Sequence, residues 1–169
     1  MREKILKVTP FFILFTLLCG LNYLTFQQVL RQSANDPQIQ IAEDTAVNFS
    51  NDQIPIISNK INIDKSLSTF IIIFDKDGNV LVSSAVLNNK VPTLPDGVLQ
   101  ETNSKKEIRF TWQPENGVRI SAVLVKADKG YVLAGRSLRE IEKREDNLHY
   151  ITLAVWIVGV VILLAKIFL

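Results

Sequence analysis

Asp75, Asp77 and Asn79 stand at alternate positions, as the first ligands of a calcium loop do. Such a loop needs glycine at its sixth place and a bidentate glutamate at its twelfth. Here Gly78 is fourth and Val86 is twelfth, so the stretch reads as a tight hairpin turn and no metal site is expected. One Cys and one His in 169 residues supply neither a zinc set nor a disulfide framework. His149 has no second base beside it and Cys19 lies in an apolar run, which leaves no nucleophile–base pair. The seven glycines are scattered, three of them in turns, so no loop is built to cradle phosphates. No enzyme activity, catalytic residue or cofactor is expected.

Binding is the remaining chemistry. Arg109, Arg119 and Tyr131 would aim charge or a hydroxyl at an anion, with Trp112 as an apolar wall. The competing reading is that both arginines sit on the polar faces of alternating strands and are simply solvated. Lys plus Arg number 19 against 17 Asp plus Glu, a net charge of +2 that does not suit a nucleic-acid partner.

The elements that must position these residues divide sharply by hydropathy. Residues 8–26 hold 13 apolar side chains in 19 and no charge, and residues 150–169 hold 17 in 20 with one charge, Lys166. About 20 apolar residues cross a ~30 Å hydrocarbon core as a helix. The flank 1–7 carries Arg2, Lys4 and Lys7 against Glu3, which places the N-terminus in the cytoplasm. The expected organisation is a cytoplasmic tail at 1–7, a first span at 8–26, an extracytoplasmic domain at 27–149 and a second span at 150–169. Both termini are then cytoplasmic. A cleaved signal peptide is the alternative for the first span, but no small-residue cleavage site stands near residues 20–30. Asn22 would either bond across a helix pair or face water at the outer boundary.

In the external domain, Asp36 as cap and Pro37 at the first helical position predict a helix of about 12 residues, with Ile39, Ala42, Ala46 and Phe49 on one face. Residues 51–65 read as a loop with a short strand or turn. The period then changes to strands at 69–74, 80–84, 107–113, 118–125 and 131–135, with turns at 75–79, 114–117 and 128–130. Residues 91–100 hold Pro92, Pro95 and Gly97 and should form a loop with at most a short helix. The runs 70–74 and 131–134 are apolar on both faces and belong in the middle of the sheet. The run 107–113 puts Ile108, Phe110 and Trp112 on one face and Glu107, Arg109, Thr111 and Gln113 on the other, which suits an edge. An antiparallel order 2-1-5-4-3 meets both demands, and the fold class is α+β. Ser137 and Glu140 form a capping box that starts a helix running into the second span. From Leu138 to Ala165 it would measure ~42 Å at ~1.5 Å per residue. The charges at 139–145 are either a juxtamembrane signalling helix in a dimer or a solvated face held by pairs such as Glu140–Arg144.

This layout resembles the extracytoplasmic sensor region of bacterial membrane histidine kinases, of the PAS or Cache type. Three stretches carry the likeness: 31–38 (Arg-Gln-Ser-Ala-Asn-Asp-Pro-Gln), 74–81 (Phe-Asp-Lys-Asp-Gly-Asn-Val-Leu) and 134–145 (Ala-Gly-Arg-Ser-Leu-Arg-Glu-Ile-Glu-Lys-Arg-Glu). A fourth, 111–119, looks like a subfamily signature. The resemblance implies a PAS/Cache-like sheet, a small-ligand pocket between the sheet and the 84–107 connection, a homodimer in the bacterial cytoplasmic membrane, and a signalling helix with Ser137, Leu138, Ile141 and Leu148. In that family the second span leads into a HAMP linker and a kinase with a phosphoacceptor His. Here the sequence stops three residues after Lys166. Signalling would then pass through a partner, a separate kinase or another membrane protein. The readings that compete with it are an accessory subunit of an envelope complex and a truncated kinase remnant.

Overall fold

The computed structural model describes residues 2–56 and 59–168. Positions 1, 57, 58 and 169, from the expected tail, the 51–65 loop and the second span, lie outside the described residues. The chain forms two compact units, one of residues 33–140 and one of residues 1–32 with 141–169.

The larger unit is α+β. Helix α1 is Arg2–Ser33, and the unit begins at its last residue and continues with α2 (Asp36–Ser50). The cap of α2 is Asn35 rather than Asp36, and the helix runs 15 residues. Its cap side chain makes no bond to the helix, because Asn35 Oδ1 instead accepts the hydroxyl of Ser121, far along the chain. Pro37 falls in the first turn, where its missing N–H leaves nothing unpaired. Ala42, Ala46 and Phe49 are buried at helical spacing.

Five strands, β2 (Phe70–Asp75), β3 (Val80–Ser83), β5 (Glu107–Glu115), β6 (Val118–Ala127) and β7 (Gly130–Ser137), form a sheet ordered β3-β2-β7-β6-β5. Every neighbouring pair is antiparallel. The strands β1 (Ile61–Asn62) and β4 (Ala85–Val86) make a separate two-residue parallel ladder. The two runs apolar on both faces lie side by side, with Phe70 opposite Gly135 and Ile72 opposite Leu133. On one face Phe70, Ile72, Phe74, Trp112, Leu124 and Leu133 form the main core. On the other face α2 covers Ile73, Val123, Val132 and Ala134. Each large apolar side chain buried this way contributes about 1.5–3 kcal/mol.

Close approach explains two glycines. A Cβ at Gly130 would lie 2.0 Å from the Phe74 carbonyl oxygen, and one at Gly135 would lie 2.4 Å from the Phe70 ring. At the β2–β3 turn, Asp75 Oδ1 accepts the N–H groups of Asp77 and Asn79 at 2.9 and 2.8 Å, and Oδ2 accepts the Asn79 amide at 2.9 Å. Those bonds, the Asn79 amide first, hold the Asp75 carboxyl below the ordinary carboxylate range. Both of its oxygens thus serve the turn.

Two boundaries differ from expectation. Strand β5 runs through Pro114 to Glu115, leaving a tighter turn at Asn116 and Gly117. Proline is tolerated because β5 is an edge strand and its ladder is irregular between Trp112 and Glu115. The short helix allowed at 91–100 is α3 (Val98–Lys105), which runs five residues past that stretch, and the 84–107 connection also holds β4.

The smaller unit pairs most of α1 with most of α4 (Arg139–Phe168). Both helices are long and apolar enough to cross a membrane, with mean hydropathy 1.8 and 2.4 over their most apolar stretches. No residue of α1 is buried. Specific contacts run along the antiparallel pair. The indole N–H of Trp156 donates to Thr16 Oγ1 at 3.1 Å, Tyr23 meets His149 edge-on at 5.9 Å, and Arg31 pairs with Glu145 at 2.8 Å. The Glu145 carboxylate, by that hydrogen bond and its charge, raises the Arg31 guanidinium above its usual value. Gly159 admits the Phe15 ring, which would lie 2.3 Å from a Cβ there. Asn22 is exposed and does not bond across to the partner helix; its amide donates to Leu18 O one turn back, at 2.9 Å.

Candidate functional site

Side chains on a strand alternate between faces, and this separates the four residues suggested for an anion pocket. Trp112 and Tyr131 lie on the main-core face, 2% and 5% exposed. Trp112 packs on Phe70 with ring centroids 6.4 Å apart. Arg109 is on the opposite face of β5, exposed, with its Nε donating to Glu107 Oε1 at 2.7 Å. Arg119 is likewise exposed, and its alternation with buried Val118 and Ile120 turns it away from the main core. The structure therefore brings Trp112 and Tyr131 to one face and does not bring either arginine to them.

The space between the sheet and the 84–107 connection is occupied by protein. Leu87, Val91, Leu94, Val98 and Leu99 pack against the main core. One open cleft at the sheet's rim, of about 330 Å³, lies beside Val80, Leu94 and Leu99. Among the described residues no group of His, Cys, Asp and Glu is arranged to hold a metal ion.

The best-defined polar construction is at the exit from the sheet, within the larger unit. Strand β7 ends at Ser137, and one residue, Leu138, separates it from α4. The capping box is not formed as expected. Ser137 Oγ accepts the N–H of Arg139, two residues on and at 3.4 Å, because Ser137 still belongs to the strand and the helix begins only at Arg139. Leu138 N–H donates to Arg119 O at 2.9 Å, which extends the β6–β7 pairing past the strand end.

Two arginines then tie this exit to the segment entering β2. Arg136 Nε donates to Leu67 O at 2.8 Å. The Arg139 guanidinium donates to Asp64 O at 3.3 Å and Lys65 O at 3.1 Å. A rigid planar fork suits such a paired contact, which lysine would not reproduce. Leu138, Ile141 and Leu148 are each half-buried. In the sequence Arg136 and Arg139 stand within the 134–145 stretch, Arg139 also within the charge run, and nothing there marks either as a tie to residues 64–67. Their partners are backbone carbonyls, which leave no mark in a sequence.

Comparison with protein-family models, with curated proteins and with solved structures finds no match for this chain.

Proposed function

We propose that this chain is a two-pass, non-catalytic membrane protein whose PAS/Cache-like domain lies outside the cytoplasmic membrane and signals, as a homodimer, through a partner. The observation that carries the reading is the sheet exit. The middle strand β7 passes through one residue into the 30-residue helix α4, and Arg136 and Arg139 lock that exit to the chain entering β2. A change in the packing of β2 or β7 would reach α4 through these bonds, and a displacement of an ångström or two in a helix is the usual size of such a signal.

The topology follows from Arg2, Lys4 and Lys7 ahead of the first apolar run. A reporter active only in the cytoplasm is expected to work when fused at residue 169 and to stay silent when inserted near Asn103. The reverse pattern would remove the two-pass arrangement. The signalling role is tested by crosslinking the two apolar helices to their neighbour in the membrane and following that neighbour's activity. Arg139→Ala is expected to change it by about fivefold or more, the effect of ~1 kcal/mol of coupling, while the exposed Lys90→Ala leaves it unaltered.

A second reading, an accessory subunit that docks on a membrane or envelope complex and senses nothing, is favoured by one observation. The space expected to hold a ligand is filled by Leu87, Val91, Leu94, Val98 and Leu99. An unchanged neighbour in the Arg139→Ala chain selects this reading.

A further inference from the structure

At one end of the sheet, the β2–β3 turn, the β6–β7 turn and the last turn of α3 surround a cleft of about 700 Å³. Three lysines line it, one from each side: Lys76 from the first turn, Lys126 near the end of β6 and Lys106 just past α3. Backbone bonding sets this convergence. Lys126 N–H donates to Lys106 O at 2.8 Å, and Lys126 stands opposite Tyr131 in the β6–β7 ladder.

The charges in the cleft are left unneutralised by protein. The neighbouring Lys105 pairs with Glu101, and Lys129 pairs with Asp52. Among the described residues no carboxylate pairs with Lys76, Lys106 or Lys126. A single acid, Asp128, lines the same cleft. Like charges gathered in a concave site repel one another and raise the local potential, and a bound anion relieves both.

Tyr131 adds a further polar group to the cleft. It lines the cleft at 5% exposure, and its hydroxyl has no hydrogen-bond partner among the described residues. That oxygen is not one of the buried side-chain atoms without a partner, so it reaches the open cleft, where water or a ligand bonds it.

The geometry points to a binding site for a phosphate-bearing anion with two or more negative charges, held by Lys76, Lys106 and Lys126 with the Tyr131 hydroxyl as a further donor. Lysine ammonium groups hold phosphate as point charges, and three of them gathered in one cleft suit an anion with more than one negative charge. Arg109 and Arg119 take no part. The site stands apart from the signalling role, because binding is measurable whether or not a partner responds.

The test uses the full chain in lipid nanodiscs and reads the side-chain NMR signals of the three lysines. In one arm the lipid is zwitterionic phosphatidylcholine and sodium pyrophosphate is titrated. In the other no soluble phosphate is present and the content of phosphatidic acid, whose phosphomonoester takes a second negative charge, is raised. Saturable shifts in the first arm assign a soluble phosphate ligand, and shifts confined to the second assign a headgroup phosphate. Either supports the site if Lys76→Gln with Lys126→Gln weakens binding about tenfold or more while Lys60→Gln with Lys90→Gln leaves it unchanged. Tyr131→Phe is expected to weaken binding severalfold with the melting temperature unmoved. No saturable shift in either arm, or equal weakening by the two lysine pairs, overturns the proposal.

Discussion

Ile72→Asp is expected to remove more than about 3 kcal/mol from the stability of the sheet domain, and Thr111→Asp less than about 1 kcal/mol. Both changes put an acid into a strand, so the difference isolates position. Ile72 is 0% exposed, paired to Ser83 on one side and Leu133 on the other, inside the cluster with Phe70, Phe74 and Leu124. A carboxylate there loses its hydration and meets only apolar neighbours, or it takes up a proton and leaves two polar oxygens unpaired. Thr111 is exposed on the outer strand β5, where a new charge stays in water. Its cost is the lower strand propensity of aspartate, a fraction of a ~1 kcal/mol scale. Urea unfolding of the full chain in detergent micelles, followed by near-ultraviolet circular dichroism, measures both. Similar losses at the two positions would mean that the layers are assigned wrongly.

Burial on this sheet was legible because it is written in period and length. The runs at 70–74 and 131–134 lack a polar face, and they are the paired strands β2 and β7, covered on both sides. The alternation at 107–113 carries charge on one face only, and β5 is an edge. The features that stayed hidden depend on partners distant in sequence. Asn35 gives its side chain to Ser121, so local capping rules mislead by one residue. The β1–β4 ladder is two residues long, too short for any period to show. The suggested anion residues are split between two faces for a different reason, and the split could have been seen. Arg109 and Trp112 are three apart on one strand, an odd spacing that sends them to opposite faces. The lysines of the larger cleft had no such signature, because Lys76, Lys106 and Lys126 meet only once the sheet and α3 are in place.

Inserting two glycines between Asp146 and Asn147 is expected to abolish the partner's response while the sheet domain keeps its stability. Each glycine costs roughly 1 kcal/mol of local helix stability. Two extra residues also turn the helix that follows by about 200°, since each residue advances it by about 100°. The insertion falls between Glu145, which pairs with Arg31, and both His149 and Trp156, which meet Tyr23 and Thr16. All three contacts cannot then be kept by one pair of straight helices. Either the ion pair survives and the aromatic contacts break, or the reverse. The sheet domain should not notice, because its compact unit ends at Glu140 and the bonds of Arg136 and Arg139 precede the insertion. Its urea midpoint is therefore expected to move by less than the equivalent of ~0.5 kcal/mol. The informative outcome pairs an unaltered domain with a silent partner, which separates transmission from folding. If the partner responds as before, α4 serves only as an anchor and the accessory-subunit reading replaces the sensor.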